Sequence, residues 1–138
     1  MYALADSAEA LDFIDRVMHR ECPGTLAILM EDTGIPGICI AVDGGSHPDS
    51  VFTVSINISE ACRRHPQFAG VVLASVRPNH RPDCDDIDRW FELVSDFEQI
   101  GVDLLEWFVV GPGFAVGMRA MTGCWPAWDS TRRPRPNR

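Results

Sequence analysis

No apolar run in this chain approaches the length of a bilayer-spanning helix, which removes an integral helical membrane protein from consideration. The first residues, MYALADSAEALDF, lack the basic segment ahead of an apolar stretch that marks a secretory leader. These absences point to a cytoplasmic protein. Its five cysteines are odd in number, and no two form C-x-x-C, so neither a disulfide framework nor a zinc ribbon fits. Lysine is missing altogether: all 12 basic residues are arginine. No Gly-x-Ser-x-Gly elbow is present, and the short Gly44-Gly45 and Gly111-Pro112-Gly113 pieces read as turns rather than phosphate cradles.

What is present suits one domain. A chain of 138 residues with 46% apolar and 23% charged residues can bury a real core. The net charge of −8 is uneven: Arg132, Arg133, Arg135 and Arg138 crowd the end, and residues 1–128 hold 8 basic against 19 acidic residues, or −11. Such a body repels nucleic acid and anionic membrane. Residues 129–138 are Pro- and Arg-rich with no apolar face and are expected to be disordered. Their four arginines offer an acidic partner, nucleic acid included, only weak and salt-sensitive binding.

Periodicity gives the elements. Residues 6–20 read as an amphipathic helix, capped by Asp6 with Glu9 as a capping box and with Leu11, Ile14, Met18, Phe13 and Val17 on its apolar face. Residues 25–30 and 37–42 read as a strand hairpin, and 51–56 as a further strand, with a short helix at 58–66 ending at Pro66. The nearly continuous apolar run 70–75 predicts a central strand buried on both faces. Ile87, Trp90, Phe91, Val94 and Phe97 recur at helical spacing, so a helix spans about 85–100 and stops at Gly101. A strand at 102–110 and a short one at 114–118 complete a mixed α/β sheet with flanking helices. Trp90 and Trp107 belong to the core. Trp125 and Trp128, beyond the last clear element, are expected to dock back on the domain.

One stretch carries more chemistry than the rest. An apolar strand ends in Ser75-Val76-Arg77-Pro78, a loop leads to Asp86-Ile87 at a helix start, and the following strand ends in Gly111-Pro112-Gly113. This resembles the core of the bacterial RadC-type JAB/MPN domains, zinc metallopeptidase-like proteins whose strand ends in His-x-His-Pro. The likeness covers about residues 20–118, with a shorter loop before Asp86. It implies a JAB/MPN-like fold over residues 1–128, of cytidine-deaminase-like architecture. Pro78 and Asp86 match the pattern, but the two histidine positions hold Ser75 and Arg77, and the serine position holds Asp83. The family's glutamate precedes its first strand, where Glu21 stands nearby as the candidate general base. Arginine cannot coordinate a metal and stays cationic, so the resemblance implies a frame that has lost its zinc chemistry. Arg77 is instead expected to pair with Asp86, and with Asp83, tying the strand end to the helix start.

The rival constellations are weaker. His80 and Cys84, with Asp83, offer a displaced metal site whose spacing matches no standard ligand pattern. Asp83, Asp85, Asp86 and Asp88 fit a helix first turn better than a hard-cation site. Ser75, His80 and Asp86 satisfy the residue list of a nucleophilic triad without its setting. The sequence therefore favours a non-catalytic domain without metal or cofactor that binds an unidentified protein, a second copy of the chain included, or acts as a scaffold. The alternatives are a hydrolase, using either Ser75 or a divergent metal site of Glu21, His80, Asp83 and Asp86, and a nucleic-acid-associated protein acting through the tail.

Overall fold

A computed structural model of the protein describes residues 6–31, 36–43 (backbone alone) and 47–123. Helix α1 (Ser7–Val17) is followed by strands β1 (Gly24–Glu31) and β2 (Pro36–Asp43), helix α2 (Ser50–Arg64) and strand β3 (Phe68–Val76). Helix α3 (Cys84–Glu98), strands β4 (Asp103–Gly111) and β5 (Phe114–Gly117) and the short helix α4 (Met118–Thr122) complete the order. The five strands form one sheet in the order β2-β1-β3-β4-β5. β1 runs antiparallel to both β2 and β3, β3 pairs parallel with β4, and β5 returns antiparallel along β4. The α/β class and mixed sheet expected from the sequence are present.

Each sheet face has its own cover. On one face Ala27, Leu29, Val71, Leu73, Trp107 and Val109 meet residues of α2, α3 and α4. On the other, Leu26, Ile28, Val72, Ala74, Phe108 and Val110 meet Ala10 and Ile14 of α1. Alternation along β4 would be broken at Trp107 but for a register shift: Val71 faces Leu104 while Val72 faces Glu106. The extra residue, Leu105, lets both Leu104 and Trp107 reach the same face.

One element differs from the sequence reading. Residues 51–56, expected as a strand, belong to the single helix α2, which also absorbs the short helix expected at 58–66. The buried residues Val51, Val54, Ser55, Ile58 and Cys62 follow a helical period. The β-branched content of VFTVSI favours a strand locally, and burial against the sheet overrides it. Two apolar assignments also change: Val17 and Phe91 are exposed, at 49% and 51%, while Leu93 takes a buried place on α3. In α1 the Asp6 side chain accepts the Glu9 N–H as expected. Gly101 ends the α3 turn with a φ of 74°, a conformation that favours glycine. Residues 124–138, which include Trp125, Trp128 and the arginine tail, lie outside the described residues, as do Gly44 and Gly45.

Candidate functional site

Strand pairing decides where the chemistry gathers. Gly24 opens β1 opposite both Val76, which ends β3, and Asp43, which ends β2. The loops before β1, after β2 and after β3 therefore meet at one end of the sheet, beside the N-terminus of α3. A cavity of about 610 Å³ lies there, lined by Glu21, His47, Arg77, Asn79 and His80 with prolines between them. Ligand sites in α/β sheets favour this position, outside the carboxyl end of a strand that feeds a crossover helix.

The start of α3 is fixed by two acids. Asp83 is the N-cap: its Oδ1 accepts the N–H groups of Asp85 and Asp86 at 3.0 and 3.3 Å. Asp86 returns the bond, its Oδ2 accepting the Asp83 N–H at 2.9 Å. This capping box satisfies amides that the helix cannot. Partial desolvation pushes the Asp83 carboxyl up. The amide bonds from Asp86 and Asp85 and the His80 ring outweigh it and hold the group below the usual carboxylate range.

Two arginines converge on Asp86. Arg89 Nη1 donates to Asp86 Oδ1 at 3.0 Å while its Nε donates to Asp49 Oδ1 at 2.9 Å, joining α3 to the start of α2. Arg77 Nη2 lies 3.0 Å from Asp86 Oδ2, and both side chains are buried, 2% and 0% exposed. The pair expected between Arg77 and Asp86 is thus present, and no ion pair joins Arg77 to Asp83. The contact is close without being aligned: Arg77 Nε, Nη1 and Nη2 all lack a hydrogen-bond partner among the described residues. The guanidinium carbon also lies 5.9 Å from the centre of the Trp107 ring, within cation–π range.

Ser75 is placed inside β3 rather than in the cavity. It is 7% exposed, and its Oγ accepts the Trp107 Nε1–H at 3.0 Å across the parallel strand pair. Glu21 is exposed and shares the cavity wall with Arg77 and His80. Cys84 is exposed, a free thiol at the first residue of α3. Burial pushes the Cys62 thiol, within α2, up to about 11.

Ligand atoms of His80, Asp83 and Asp86 do come within 4.8 Å of one another. They do not suit a divalent ion. His80 Nε2 is already 3.2 Å from Asp83 Oδ2, the other Asp83 oxygen caps the helix, and both Asp86 oxygens face arginine nitrogens. A cation at this point would also meet the fixed charge of Arg77 beside Asp86. Cys84 is not part of that cluster.

Sequence reasoning missed Glu106 and Arg119. Both are buried: Glu106 Oε1 accepts the N–H groups of Trp107 and Arg119, and Arg119 Nε donates to the Leu105 carbonyl. A Cβ at Gly117 would lie 2.6 Å from Glu106 Oε2, so a side chain there would have to displace the Glu106 carboxylate. The sequence signal for Glu106 is a charge in the middle of an apolar run, LLEWFVV. This cluster ties β4 to α4 and lines neither this cavity nor the one between α2 and α3.

The chain matches no protein-family model and no curated protein sequence. Among the described residues, no helix is long and apolar enough to cross a membrane.

Proposed function

We propose that the chain is a JAB/MPN-like domain without catalytic metal, acting as a scaffold or by binding a protein partner. The observation that carries this reading is the guanidinium of Arg77 beside Asp86, at the strand end where the RadC-type domains keep their histidines. A permanent cation there substitutes for the metal's charge and leaves no water-activating centre.

The rival is a hydrolase using the His80, Asp83 and Asp86 cluster, favoured by the proximity of those ligand atoms. Zinc content after exposure to the metal and gel filtration separates the two. The expected result is no retained zinc. About one zinc per chain, lost on Asp86→Ala, would establish the rival.

A further inference from the structure

Buried polar groups are almost always hydrogen-bonded, and Arg77 departs from that rule. Its neighbour does not depend on it. Asp86 accepts from Arg89 at one oxygen and from the Asp83 amide at the other, so its carboxylate is satisfied without Arg77. A buried guanidinium whose one acidic neighbour lies out of hydrogen-bond alignment recovers little of what its desolvation costs. Fold stability alone therefore does not account for an arginine at this position.

We propose that Arg77 anchors an oxyanion-binding pocket that takes the carboxylate or phosphate group of a small ligand. The cavity that Arg77 borders, about 610 Å³, is of the size that holds such molecules. A guanidinium fork matches both groups. Asn79, His47 and His80 bring further polar groups to the wall. Glu21 also lines the cavity, so it repels a second anion and accepts from a hydroxyl or amine on the ligand. Each Arg77 nitrogen exposes less than 1 Å² in the present arrangement. Binding therefore requires the side chain to turn from its place beside Asp86 and Trp107 into the cavity, and the ligand must offset the ion pair and ring contact given up.

This inference rests on the reading that the sheet end holds no metal, and its test is run in chelator on protein whose zinc content has been measured. Thermal melts are recorded with inorganic phosphate and with acetate, against sodium chloride at equal ionic strength. One oxyanion is expected to raise the melting temperature by about 4 °C at about ten times its dissociation constant, and which one does so identifies the ligand group. Arg77→Met is expected to melt no lower than the parent protein and to lose this response, while Arg89→Met keeps it. No response from either anion, or an undiminished one in Arg77→Met, overturns the proposal. Should Arg77→Met fail to fold, the assigned Arg77 Nε–Hε resonance of the parent protein decides. It must shift saturably with the anion, and an unmoved resonance overturns the proposal. Retained zinc would instead count against the metal-free reading, and is read separately.

Discussion

Asp83 and Asp86 each accept the other's backbone N–H, so the two acids at the head of α3 hold one another in place. Their carboxylates are thereby committed to the helix start, and the same bonds keep Asp83 easily ionised. A depressed carboxyl contributes stability that is present above its unfolded value and is lost as pH falls through its folded value. Asp83→Ala is therefore expected to melt below the parent protein at neutral pH, with the gap closing below about pH 4. Asp83→Asn, a competent cap, should stay near the parent. Melts of the three proteins across pH check this, and a gap that persists in acid would assign the loss to something other than the ionised cap.

The two arginines on Asp86 should differ in cost. Arg77→Ala empties a fully buried volume beside Trp107 and is expected to cost about 3 kcal/mol. Arg89 is 16% exposed and pairs with an outer partner, Asp49, that is 58% exposed, so Arg89→Ala should cost about 1 kcal/mol. Denaturant titration of both variants measures the difference. Equal losses would mean that Arg77 fills no space the fold requires.

Ser75 is predicted to be structural. Its replacement by alanine leaves the Trp107 Nε1–H buried without an acceptor, at a cost of about 1–2 kcal/mol. A serine-directed covalent probe should leave Ser75 unlabelled in the folded protein, and mass spectrometry reads this directly. Labelling at Ser75 would revive the nucleophile reading.

Glu106 sets an opposite pH trend. Burial pushes its carboxyl above the usual range, although the amides of Arg119, Trp107 and Ala120 pull the other way. A raised folded value means the stability contribution is whole below the unfolded value and falls away as pH rises through the folded one. Glu106→Gln should therefore gain on the parent protein as pH rises through and above that value. Urea midpoints between pH 4 and 8 or so would show it, and a constant difference would remove the buried carboxylate as the cause.

Much of this arrangement was legible in the chain itself, and the reasons are local. β3 reads as central because FAGVVLASV has no polar face to give to solvent, and all nine of its residues are buried. The helix at α3 reads from Trp90 and Phe97 at their spacing, and both are fully buried. Residues 51–56 misled because valine, threonine and isoleucine favour strands while the tertiary partner, not the propensity, decides. The meeting of Arg77, Asp86 and His80 followed from a short loop between neighbouring elements. The bond from Arg89 to Asp49 spans 40 residues and is set by how α2 packs against α3, which no local pattern encodes. Glu106 was hidden for the same reason, since its distant partner, the Arg119 N–H, lies on an element that closes only after β5 turns back.

β3 also governs how the chain must come together. Its two partners, β1 and β4, lie on either side of it in sequence, separated from it by β2 with α2 and by α3. Until both have docked, an uncharged nine-residue strand stands open to pair with the same segment of another molecule. Arg63 and Arg64 before it and Arg77 after it flank this segment as charged gatekeepers. The vulnerable moment for this protein is therefore its folding, when crowded copies can add strands to one another.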